Sequence, residues 1–186
     1  MTAALSAEAI REARAELLAR PDLSGRTLAR RLCDQMDGWF TALGARLPEG
    51  WALAATGGYA LGWLAPGSDI DVLLIQPVKG VPPAEVAEMA ASIWYPLWDA
   101  GLKLSPATHS ERTIAPLAGR DLVTITSLLG IRLLAGDAAA VDAVRALARR
   151  LWRRSPWLRS IKRGKTMSAL PVAKAVIRTS RVGPTT

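Results

Sequence analysis

WALAATGGYALGWLAPGSDIDVLLIQ, residues Trp51 to Gln76, is the stretch on which the reading of this chain turns. The apolar run Trp51–Ala55 ends in Thr56-Gly57-Gly58. Tyr59–Leu64 then leads to the turn Ala65-Pro66-Gly67, and Ser68-Asp69-Ile70-Asp71 runs into Val72–Ile75. The pattern predicts a strand, a tight glycine turn, a short helix, a turn and a second strand. Side chains alternate along a strand, so Asp69 and Asp71 are expected on one face, with Ile70 and Val72 turned toward a core. Paired carboxylates repel unless a cation lies between them, and hard oxygen ligands suit Mg²⁺. Gly57-Gly58 before a helix start leaves bare N–H groups that can cradle phosphate oxygens. A phosphate cradle beside a carboxylate pair points to nucleotidyl transfer, in which a metal-held triphosphate is attacked and pyrophosphate is displaced. A D-x-D or a Gly-Gly alone is commonplace. The weight comes from both in order, about ten residues apart and joined by a helix-sized piece.

Gly57–Ile75, GGYALGWLAPGSDIDVLLI, resembles the signature of the nucleotidyltransferase superfamily that includes DNA polymerase β. More narrowly, it resembles the N-terminal domain of bacterial PII-protein uridylyltransferase/uridylyl-removing enzymes, which reads approximately GGYGRGELxPxSDxDLLLL. Ile93–Leu102 is similar to that family's WYPLWDAGL segment, His109-Ser110-Glu111-Arg112-Thr113 to its HSxRT, and Arg132–Asp137 to its RLLxGD. The likeness spans residues 25 to 155. It implies an α/β (α+β) polymerase β-like nucleotidyltransferase fold, a small mixed sheet flanked by helices with an N-terminal helical extension. It also implies Mg²⁺-dependent transfer of UMP from UTP to a tyrosine hydroxyl of the PII nitrogen-regulatory protein. UTP rather than ATP comes from the resemblance alone.

On this reading Asp69 and Asp71 are the catalytic metal ligands and Gly57 and Gly58 hold the triphosphate. Ser68 and Arg112 are further candidates for phosphate contact, although a serine before an Asp turn is commonly a local cap. Three positions depart from the family pattern. Its Arg falls at Leu61, its Glu at Trp63, and its third carboxylate at Gly130. Two-metal transfer ordinarily uses a third acid as ligand and base. Asp121 and Asp137 are near in sequence but not at the matching position.

Outward from the central stretch, residues 1 to 20 read as a helix capped by Ser6, and Arg26–Leu47 as a second with a stripe of Leu28, Leu32, Met36 and Leu43. Trp39 and Phe40 read as core. Pro77–Pro83, containing Lys79-Gly80, reads as a surface loop. A helix is predicted over Pro83–Asp99, with its last turn interrupted at Pro96 and with Trp94 and Trp98 in the core. Leu102–Leu104 is predicted as a short strand beside Asp69–Ile75, Ala107–Arg112 as extended, Leu117–Leu129 as one helix and Ile131–Leu134 as an edge strand. Asp137 is predicted to cap a helix over Ala138–Trp152. This organises the chain as an N-terminal helix (1–24), a nucleotidyltransferase domain (25–152) and a basic tail (153–186) expected to be poorly ordered.

The net charge is +8, and no Asp or Glu follows Asp142, so the basic character sits in the C-terminal quarter. The single cysteine, Cys33, excludes an internal disulfide and reads as a buried small residue. The single histidine, His109, excludes a histidine metal cluster. No apolar run reaches the roughly 18 residues of a membrane span, and a cytoplasmic protein is expected. The uridylyl-removing phosphohydrolase and regulatory domains of the family enzymes find no counterpart. The chain therefore reads as the transferase domain alone, whether truncated, degenerate or altered at its end. The first alternative is a catalytically degenerate nucleotidyltransferase-fold protein, given Leu61, Trp63 and Gly130. The other is a basic nucleic-acid-binding module over residues 145 to 181, which lacks any recognisable binding motif.

Overall fold

The computed structural model describes residues 6–154. In chain order these form α1 (Ala7–Leu18), α2 (Gly25–Gly44), β1 (Ala52–Ala55), α3 (Gly57–Ala60), β2 (Ile70–Ile75), α4 (Pro83–Asp99), β3 (Leu104–His109), α5 (Glu111–Arg120), α6 (Leu122–Leu129), β4 (Arg132–Gly136) and α7 (Ala138–Arg154). The four strands make one mixed sheet in the order β3-β2-β1-β4. β1 is antiparallel to both of its neighbours, and β3 runs parallel to β2. This is the α/β arrangement the sequence predicts, a small mixed sheet flanked by helices.

The sheet is the middle of three layers. All four residues of β1 are buried, as a continuous apolar run without alternation implies for a strand covered on both faces. On one face Leu53, Val72 and Leu74 pack against Ile10 of α1, Leu32, Met36 and Phe40 of α2, and Ile93, Trp94 and Leu97 of α4. On the other, Ala54, Leu73 and Ile75 meet Ile114 of α5, Ile125 and Leu128 of α6, and Val141, Val144 and Leu147 of α7. Cys33 is buried on α2. Strand β2 thus turns Ile70, Val72 and Leu74 to the first face, leaving Asp71 at the open end of the second.

Several boundaries differ from the expectation, each for a local reason. The segment after β3 is helical from Glu111, because Ser110 and Thr113 form a reciprocal capping box in which the Thr113 N–H donates to Ser110 Oγ and the Ser110 N–H to Thr113 Oγ1. Arg112 therefore sits on the first turn of α5, not on an extended segment. Leu117–Leu129 is two helices. Asp121 is extended, and its carboxylate accepts from the Thr124 N–H at 2.7 Å, which starts α6 anew. β3 is one strand through Pro106, tolerated because β3 is at the sheet edge. Helix α4 continues through Pro96 to Asp99, its last turn anchored by fully buried Leu97. Trp94 is core, but Trp98 is 41% exposed and lies against Tyr95. β4 runs from Arg132 to Gly136, and Asp137 accepts from the Ala139 N–H at the start of α7. Most of the basic tail lies outside the described residues. No helix among the described residues is long and apolar enough to cross a membrane.

Candidate active site

The chain leaves β1 at Ala55 and turns over the side chain of Asp71. Thr56 is extended, and its N–H donates to the Asp71 carbonyl at 3.0 Å. Gly57 follows at φ +58°, a left-handed conformation that side chains other than glycine's rarely adopt. A Cβ on Gly57 would collide with the Asp71 carboxylate. Two requirements therefore fall on this one residue, the backbone turn and close approach of the main chain to an acid. Gly58 is different, because a Cβ there would meet only the Trp63 carbonyl oxygen at an ordinary 3.5 Å.

Asp71 opens onto a cavity of about 330 Å³ between the β1–α3 turn, β2 and β3, and helices α5 and α6. Thr56, Gly57, Ser105, His109, Thr124 and Ser127 supply its polar lining; Ile114, Leu117, Val123 and Leu128 supply much of its apolar wall. Burial pushes the Asp71 carboxyl above the usual carboxylate range, and the charge of Asp69 pushes it the same way, while the neighbouring Ser105 hydroxyl acts in the opposite direction. Burial and like charge both disfavour the ionised form, and a bound cation relieves both. Burial also lowers the pKa of His109.

The predicted site residues do not all converge. Gly57 and Asp71 line the cavity together, and Gly58 lies in the next position of α3. Asp69 is exposed and precedes β2, close enough to Asp71 for its charge to be felt. The Ser68 hydroxyl donates to the Ala65 carbonyl at 2.9 Å, fastening the turn before β2. Arg112 is exposed on α5 and is not among the residues lining the cavity. A Cβ on Gly130 would lie 3.3 Å from Leu61 Cδ2, so a side chain there would extend toward position 61.

The residues flanking Asp71 in the sheet are instead Thr56, through its backbone bond, and Ser105, its register partner on β3. Neither neighbouring strand brings an acid. Ser105 went unremarked in the sequence because its place is set by the parallel β2–β3 register, which no local pattern displays. Asp121 caps α6, and its bonds from Thr124 outweigh burial to keep its carboxyl below the ordinary range.

A second network holds α3 in place. Tyr59, 1% exposed, donates its hydroxyl to Asp37 of α2 at 2.6 Å. Arg132 of β4 grips the same carboxylate with both terminal nitrogens, at 2.7 and 3.0 Å, and its guanidinium lies 5.4 Å from the Tyr59 ring centroid. Burial, with Asp37 as hydrogen-bond partner, pushes the Tyr59 phenol far up, so it stays protonated as a donor. Tyr59→Phe removes a hydrogen bond to a charged acceptor. It is expected to destabilise by about 1.5 kcal/mol, a fall in Tm of roughly 4 °C for a domain of this size. Thermal denaturation reads this directly, and an unchanged Tm would show the bond to be dispensable.

Among the described residues no three His, Cys, Asp or Glu side chains cluster as a metal site. Two carboxylates, of which half-buried Asp71 is raised by burial and by the charge of its neighbour, nonetheless fit Mg²⁺, which typically takes one or two carboxylates and completes its shell with substrate phosphate and water. His109 lies four residues along β3 from Ser105, roughly 13 Å at the strand rise. That is too far to share a cation with Asp71.

The chain is 38% identical over 144 residues to the bifunctional uridylyltransferase/uridylyl-removing enzyme of Streptomyces coelicolor, an alignment covering 76% of this chain and 17% of that enzyme. The enzymes of the same description from Bradyrhizobium sp. (strain BTAi1) and Rhodopseudomonas palustris are 39% and 40% identical over 142 and 145 residues, covering 70% and 72% of this chain. The chain is similar to one segment of these enzymes. It spans 15% to 17% of their length. No family model matches it. A solved structure described as a toxin-antitoxin with AMP-PNP matches at a TM-score of 0.41 and 13% identity, over 77% of this chain and 97% of that one.

Proposed function

We propose that this chain is a Mg²⁺-dependent nucleotidyltransferase that moves UMP from UTP to a tyrosine of the PII nitrogen-regulatory protein. The observation that carries this reading is the packing of the Gly57 turn against the Asp71 carboxylate at the mouth of a cavity. The similarity to uridylyltransferases supplies the choice of UTP and of PII. In this reading the tyrosine oxygen attacks the α-phosphorus, its proton passes to solvent, the bond from that phosphorus to the bridging oxygen breaks, and pyrophosphate leaves with the electron pair. Magnesium, when bound, neutralises the triphosphate and the charge developing on the leaving group. Asp71 and Asp69 would hold the metal. The first N–H groups of α3, which have no partner within the helix, face the phosphates at Gly57 and Gly58. The apolar wall of Ile114, Leu117, Val123 and Leu128 limits the water around the reacting centre.

Calorimetric titration with UTP tests the site itself. UTP is expected to bind about tenfold or more tightly with Mg²⁺ than with EDTA, because the triphosphate otherwise meets two uncompensated carboxylates. Equal binding in EDTA, or none in Mg²⁺, would contradict the assignment. The flanking of Asp71 by Thr56 and Ser105 favours a second reading, a degenerate transferase that binds the nucleotide and transfers nothing. It shares the binding result and differs in turnover.

A further inference from the structure

A larger recess lies on the other side of the α3–β2 connection and shares no residue with the Asp71 cavity. It encloses about 920 Å³ between the first turns of α2 and the segment Leu61–Pro66. Arg26, Arg30 and Arg31 of α2 line it, with Asp34 as its one acid. None of the three arginines is in an ion pair among the described residues. The Arg26 guanidinium lies 5.7 Å from the centroid of the Trp63 ring, yet Trp63 is 66% exposed.

This arrangement runs against local preference. The first turn of α2 has no acidic residue and carries Arg26, a cation at the helix end that favours negative charge. Arg26 and Arg30 are also like charges one turn apart, a destabilising spacing. A bound anion relieves both. Unpaired guanidinium groups offer forked donors that match phosphate oxygens, and an exposed indole offers a flat face for an aromatic ring. The volume falls within the range of small-molecule sites.

We propose that this groove is a second ligand site, for a nucleotide. Its phosphate is held by Arg30 and Arg31, and its base lies against Trp63 beside Arg26. The groove works independently of the metal and of Asp71.

The test is titration of the full chain with UMP in EDTA, with uridine and inorganic phosphate as ring-only and phosphate-only probes. The variants are Arg30→Ala/Arg31→Ala, Trp63→Ala and Asp71→Asn. All three changed groove residues are exposed, so folding is expected to survive, and circular dichroism checks it. The expected result is UMP binding that weakens about tenfold or more in both groove variants and is unchanged in Asp71→Asn. Absence of UMP binding at a few millimolar would overturn the proposal. So would binding lost in Asp71→Asn but kept in the groove variants, which would place the nucleotide in the other cavity. Phosphate binding as tightly as UMP with no effect of Trp63→Ala would remove the base from the site. Capture of an acidic peptide in place of UMP would make the groove a protein contact. A failure of the Asp71 site leaves the groove result intact, so the two readings are separable.

Discussion

Asp71→Ala is expected to abolish Mg²⁺-dependent UTP binding and to reduce transfer by about a thousandfold or more, the rate equivalent of several kcal/mol of lost metal stabilisation. Asp71 is the acid inside the cavity, with its carboxyl raised by burial and by the charge of Asp69. Asp69 is exposed outside the strand, so Asp69→Ala leaves one ligand in place and is expected to be the milder change. The fold is not expected to suffer in Asp71→Ala. Removing a half-buried acid that burial already disfavours relieves strain in the metal-free protein, and the Tm is expected to hold or rise. Activity lost with stability kept is the signature of a residue retained for function. Turnover measured alongside thermal denaturation separates this from collapse of the fold, and full activity in Asp71→Ala would remove the carboxylate pair from the mechanism.

Gly57→Ala is the second large effect, and it acts through geometry. An alanine must accept a φ of +58°, at roughly 1 to 2 kcal/mol, and its methyl collides with the Asp71 carboxylate. Either the turn or the acid has to move. A displacement of about 1 Å at a reacting centre commonly lowers rate by about a hundredfold, and the Tm is expected to fall by roughly 5 °C. Gly58→Ala is the internal control. Its added methyl finds van der Waals room, so the protein itself tolerates it, and any loss there reports on phosphate approach. Equal, small effects of the two substitutions would mean that the turn does not position Asp71.

The central strand-turn-strand unit was legible because its signals are local. Gly57-Gly58 marks the turn, alternation places Ile70 and Val72 in the core, and the apolar run of β1 announces a strand buried on both faces. The unread features are those fixed by tertiary register. Ser105 stands beside Asp71 only because β3 joins β2 in parallel, so the neighbour of the candidate metal-binding acid is 34 residues away in sequence. Gly130 was read, by resemblance, as the position of a missing third acid. In the structure a side chain there would point to Leu61, another of the three departures from the family pattern. The geometry makes Ser105 the position from which an added carboxylate would join Asp71. Arg112 is a cation next to a motif, but the Ser110–Thr113 capping box puts it at an exposed position in the first turn of α5. Apolar periodicity alone makes Leu117–Leu129 one helix, whereas Asp121-x-x-Thr124 is a cap signal that starts α6 anew.

The most direct test of the central claim is the intact mass of a PII protein incubated with this chain, UTP and Mg²⁺, beside a control with Asp69→Ala/Asp71→Ala. A mass gain of one uridylyl group, absent in the control, is expected. No gain from a folded chain that binds UTP would contradict that claim and establish a nucleotide-binding protein without transfer.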